Sequence, residues 1–120
     1  MTEWIRTEQL LDRLPAPRRS TASMVKTEFL GKKQVPPEIP IHQAVALGAF
    51  AQAHARGISK ARRVFDLVAA APAVDGLLVV VAKGGAPRLA AAHGFEPTAA
   101  VVIDLDTLIE AIRSDGPIPA

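Results

Sequence analysis

Over the first seventy positions the apolar residues recur at helical spacing, interrupted by proline and glycine. Ile5, Leu10, Leu11 and Leu14 predict a helix over Thr7–Leu14, with Thr7 as its cap and Pro15 and Pro17 as its end. Arg18-Arg19 lead into Ser20-Thr21-Ala22-Ser23, a start signal for a second helix reaching about Leu30. Met24, Val25 and Phe29 form its apolar side, and Gly31 stops it. Three prolines within Lys32–Pro40 forbid a helix there and suit an extended excursion or small wing. Ile41–Arg56 then reads as an alanine-rich helix, with Ile41, Val45 and Phe50 on its buried face and Gly57 as its break. Ser59 is placed to cap a further helix through Val64, Leu67 and Val68 to about Ala71, closed by Pro72.

Beyond residue 76 the pattern changes. Leu77-Leu78-Val79-Val80-Val81 is an unbroken aliphatic run, which predicts a strand covered on both faces. Lys83-Gly84-Gly85 reads as a turn. Ala86–His93 reads as a short helix opened by Pro87 and stopped by Gly94. Ala100-Val101-Val102-Ile103 predicts a second buried strand. Asp106 is expected to cap a last helix, Thr107–Arg113, with Leu108, Ile109 and Ile112 facing inward, and the tail Gly116–Ala120 should be loose. The class is therefore α+β, with Pro72–Gly76 serving as either a turn or a short linker.

Composition sharpens this picture. At 120 residues and 49% apolar the chain can bury a sizeable core, but aromatics are only 4%. Ala, Val, Leu and Ile must build that core, and alanine contributes little apolar area per residue, so a dimer or partner would help. There are no cysteines, which removes disulfides, thiolate metal sites and cysteine nucleophiles. Met1-Thr2-Glu3-Trp4 carries an early acid and no apolar run, so no secretory signal is expected. Leu77–Ala82, the longest apolar stretch, falls far short of the roughly 20 residues that span a bilayer. The expectation is a soluble cytoplasmic chain with no membrane association.

The net charge of +2 hides a strong asymmetry. Residues 1–65 carry 11 Lys/Arg against 5 Asp/Glu, whereas residues 66–120 carry 3 against 7. A basic half of this kind suits a polyanion. A helix laid in a DNA major groove needs short polar side chains near the base edges and cations near the phosphates. Ser20, Thr21, Ser23, Lys26 and Thr27 supply the former. Arg18, Arg19, Lys32 and Lys33 bracket the same helix, and Arg56, Lys60, Arg62 and Arg63 form a second basic cluster.

The order of helix, turn, helix, wing-like loop and two further helices separated by glycine resembles the DNA-binding module of MerR-type winged-helix regulators, over about residues 3–70. Ser23, Met24, Glu28, Gly31 and Pro36 fall in places comparable to that family's second helix and wing, and Leu47, Gly57, Ile58 and Ser59 match its following helices. Val25-Lys26-Thr27 stands where the family has an Arg-Tyr-aromatic stretch, and Lys32-Lys33 where it has a leucine pair. The resemblance implies a helical winged-helix-like module over residues 1–72, followed by a small β-α-β-α segment over 73–120 for dimerisation or partner binding. It also implies double-stranded DNA as partner, a homodimer, and half-sites about one helical turn apart.

No catalytic constellation emerges beside it. Ser23-Met24-Val25-Lys26 matches the Ser-x-x-Lys pattern of penicillin-recognising enzymes without their other motifs or size. Lys83-Gly84-Gly85 lacks the glycine-rich run of a phosphate loop. His42, His54 and His93 are far apart and lack i,i+4 pairing, so no metal site is expected. Asp104 and Asp106 flank Leu105, but no third acid stands near them. The strand-helix-strand-helix order from Leu77 to Ile112 also looks like the tail of Mrr-type restriction endonucleases. Their Glu-x-Lys is missing here, since Phe29 and Leu30 follow Glu28. The sequence therefore predicts a non-enzymatic, cofactor-free DNA-binding regulator. The alternative is a protein-interaction or assembly subunit whose basic half meets an acidic partner.

Overall fold

The computed structural model describes residues 3–15, 37–58, 60–82, 85–92, 100–114 and 117–118. The second helix expected up to Leu30, its Gly31 stop and the wing residues before Pro37 lie outside the described residues, as do Ser59, Lys83, Gly84 and His93. In chain order the elements are β1 (Trp4–Arg6), α1 (Thr7–Arg13), β2 (Glu38–Pro40), α2 (Ile41–Ala55), α3 (Ala61–Ala70), β3 (Leu77–Ala82), β4 (Arg88–Ala91), β5 (Ala100–Asp104) and α4 (Leu105–Arg113). The class is α+β. No described helix is long and apolar enough to cross a membrane.

Helix α2 is the spine. Every residue from Ala44 to Ala53 is buried, Gln52 included, so the helix is enclosed on all sides. A helix apolar all round can sit only at the centre of a core, and its small side chains let neighbouring backbones approach closely. Helix α3 packs on one flank through Val64, Phe65 and Val68, which recur at the spacing of one helical face. Helix α4 packs on another through Leu105, Leu108, Ile109 and Ile112. The buried cluster runs from Leu10 and Leu14 through α2 to Ile112 and Ile118, so the core is continuous across residue 72.

Two antiparallel sheets flank the helices. In the smaller one Ile5 pairs with Ile39, Trp4 with Pro40 and Arg6 with Glu38. The prolines that forbid a helix before Ile41 thus leave an extended strand. In the larger one β3 is central, between β4 and β5. Leu78 and Val80 on one face and Val79 on the other are all buried, as the aliphatic run predicts.

Several sequence expectations are corrected. Ala86–His93 is not a helix: Arg88–Ala91 forms β4, with Leu77 opposite Ala91 and Val80 opposite Arg88. The stretch is too short to meet its backbone bonds as a helix, whereas the edge of β3 offers them a ladder. The second half is therefore β-β-β-α and not β-α-β-α. Asp104 caps α4, its Oδ1 accepting from the Asp106 and Thr107 amides at 3.0 and 3.3 Å. Asp106 instead accepts from the Gly76 amide at 2.9 Å. Thr7 does not cap α1: Arg6 occupies that position, and the buried Thr7 donates its backbone N–H to Pro37 O at 3.1 Å. Nor is the tail wholly loose, since Ile118 is buried and its amide donates to Arg13 O at 2.9 Å.

Helices α2 and α4 pack closely at Gly48, where an added Cβ would stand 3.1 Å from Leu108 Cδ2. Alanine gains about 1 kcal/mol of helix propensity over glycine, but forcing a methyl into a packed core costs about 1–3 kcal/mol. Gly48→Ala is therefore expected to lower stability in urea denaturation. In a Leu108→Ala background the same change should raise it, and a cycle showing additive effects would contradict this packing.

Candidate nucleic-acid interface

The segment 16–36 carries five cations, Arg18, Arg19, Lys26, Lys32 and Lys33, against one acid, Glu28. Of the residues expected to contact DNA, Arg18, Arg19, Ser20, Thr21, Ser23, Lys26, Thr27, Lys32 and Lys33 lie outside the described residues. The anchors of the segment are described. The described residues before it end at Leu14-Pro15, after the C-terminus of α1, and those after it begin at Pro37, beside the N-terminus of α1. Helix α1 has seven residues, so these anchors are separated by about 10 Å along its axis.

Both anchors are held firmly. The Ile41 amide donates to Glu3 O at 2.8 Å, which locks β1 to the start of α2. Arg13, at the last position of α1, donates to the carbonyls of Ile112, Ala111 and Ser114 at the end of α4. A guanidinium there satisfies carbonyls that the helix itself leaves unbonded and complements the negative end of its dipole. Sequence reasoning missed this role. Its only signal is a basic residue in the last turn of a helix, which usually serves that helix and not a distant one.

The second cluster is fully described. Helix α2 ends in a Schellman turn, in which the Gly57 amide donates to His54 O and the Ile58 amide to Ala53 O. Gly57 takes φ 77°, the left-handed region where a side chain would be strained. The turn sends the chain back antiparallel along α2, and the His42 ring closes the far end by bonding Val68 O at 2.8 Å. The cluster therefore sits at the C-terminal end of α2, some 22 Å by helix length from Ile41 and the return of the basic segment.

Within the cluster the four cations differ. Arg56 donates from Nη1 to Val102 O at 2.8 Å and ties the turn to β5. Arg62 lies 3.4 Å from Asp66 Oδ1 and 5.7 Å from the Phe65 ring centroid. Lys60 and Arg63 are exposed, and no ion pair with a described residue holds them. Lys60 occupies the N-cap of α3 without a side-chain cap bond, and the first turn contains no acid. Cations here oppose the helix dipole, whose positive end favours anions, so three of them at one N-terminus are locally unfavourable.

The other candidates resolve into structural roles. Because a carbonyl oxygen only accepts, His42 must donate from Nε2 to Val68, while His54 is exposed near the end of α2. Asp104 and Asp106 are occupied by backbone amides. Among the described residues no three His, Cys, Asp or Glu side chains gather as a metal site would require. No family model, curated protein or solved structure matches the chain.

If Lys60 and Arg63 work against their own helix, reversing them should stabilise it. Lys60→Glu and Arg63→Glu are each expected to add about 0.5 kcal/mol in low-salt urea denaturation, fading as salt is raised. A loss of stability would mean that these cations have structural partners.

Proposed function

We propose that the chain is a non-enzymatic, sequence-specific DNA-binding protein that acts in the cytoplasm as a small transcriptional regulator and homodimer. The observation that carries this reading is the set of cations at the start of α3, where positive charge opposes the local helix dipole and Lys60 and Arg63 stand exposed. A phosphate there would meet the side-chain cations and the positive end of the helix dipole together, which turns an unfavourable arrangement into a favourable one.

Further support comes from the other pole of α2. The described residues that flank the segment with five cations and Ser20, Thr21, Ser23 and Thr27 lie there, about 10 Å apart. In this reading that segment approaches the base edges, as the resemblance to MerR-type modules implies, while Lys60 and Arg63 contact the backbone. The acidic second half supplies the dimer or partner contact.

One observation favours the alternative of a protein-interaction subunit. Trp4 is 56% exposed on β1, the one large apolar side chain so exposed among the described residues. An acidic protein partner would then take the place of DNA.

Fluorescence anisotropy on labelled duplexes over a salt series tests the reading. Binding should weaken steeply with salt, and Lys60→Ala with Arg63→Ala should lower the slope of log K against log salt by about 2. Absence of duplex binding at low salt would reject the reading in favour of the protein partner.

A further inference from the structure

A cleft of about 280 Å³ opens where the start of α2, the loop after α3 and the last turns of α4 meet. Its lining is mixed: Ile41 and Pro72 lie over the buried Val45, Val74 and Ile109, beside the polar His42, Asp75 and Arg113. Small-molecule sites run from about 300 Å³ upward, so this one suits a small occupant.

Its charges are opposite in sign and set apart. Asp75 lines one end, and the next residue, Gly76, is bonded to Asp106 in the first turn of α4. Arg113 lines the other end, at the last residue of the same helix. Seven residues of helix separate Asp106 from Arg113, about 10 Å along the axis. Asp75 is exposed, with no ion pair to a described residue. Among the described residues Arg113 donates only from Nε, to Glu3 Oε1 at 3.0 Å, and its two terminal nitrogens hold no described group. His42 also lines the cleft. Its Nε2 is already committed to Val68 O.

We propose that this cleft binds a short apolar peptide with free ends, of about dipeptide length. Its ammonium group meets Asp75, its carboxylate meets the terminal nitrogens of Arg113, and its side chains lie on Ile41 and Pro72, over the buried Val45 and Ile109. Each peptide residue spans at most about 3.6 Å, so two residues bridge the charges once the Asp and Arg side chains have taken up the rest. A free amino acid would reach one charge only. The inference does not rest on the DNA-binding reading. The walls come from three separate segments, so an occupant ties them together and raises Tm.

Calorimetric titration of the full chain with leucyl-leucine, its N-acetyl derivative and its C-terminal amide tests the proposal. The dipeptide should bind saturably at one site, and capping either end should weaken it about tenfold, the worth of one charge-assisted bond. Asp75→Asn should abolish discrimination against the acetylated peptide, and Arg113→Gln discrimination against the amide. Glu3→Gln breaks the same Glu3–Arg113 pair but leaves the guanidinium, so it must keep that discrimination. No saturable heat at about 10 mM, where a Kd of about 1 mM would register, overturns the proposal. So does binding that is indifferent to the caps or to the two cleft variants.

Discussion

The enclosure of α2 is the constraint on which the rest of the structure depends. Ten consecutive residues of this helix are buried, five of them alanine, so its neighbours must come close on every side. Helix α3 meets one flank and α4 another, the β1–β2 pair closes the N-terminal end, and Arg56 reaches β5 from the C-terminal end. Alanine offers little apolar area, and close packing of many backbones compensates. Gly48 against Leu108 is one such close approach.

That spine also organises the surface. At one end of α2 lie the anchors of the basic segment, the Glu3–Arg113 pair and the cleft. At the other lies the Schellman turn with its cations. Arg13 and Arg113 both engage other elements at the end of α4, although they come from opposite ends of the chain. The halves defined by charge are thus joined by one core.

Much of the fold was legible because side-chain periodicity reports burial directly. The spacing of Leu10 and Leu11, of Val64 and Val68, and of Leu108, Ile109 and Ile112 marks α1, α3 and α4. The aliphatic run from Leu77 marks β3. Where tertiary pairing decides, the sequence was misleading. Arg88–Ala91 has helix-favouring composition and becomes a strand because β3 needs a neighbour. Asp104 and Asp106 both suit a cap, and the choice turned on β5 running directly into α4 without a loop. Ile118 reads as tail, yet the groove beside Arg13 receives it.

The candidate interface was legible as charge and much less as geometry. Arg56, Lys60, Arg62 and Arg63 read as one equivalent cluster, but Arg56 is bound to Val102 and Arg62 to Asp66, which leaves Lys60 and Arg63 as the pair with no ion-pair partner among the described residues. The cleft was illegible, because Asp75 and Arg113 come to line one cleft only through folding. The most direct test of the account is NMR titration of the full chain with a short duplex at low salt. The account predicts the largest shifts at the amides of residues 61–64, where the N-terminus of α3 would meet phosphate, with the Ala44–Ala53 amides of the spine unmoved. Shifts confined to the acidic second half, or none at all, would contradict it.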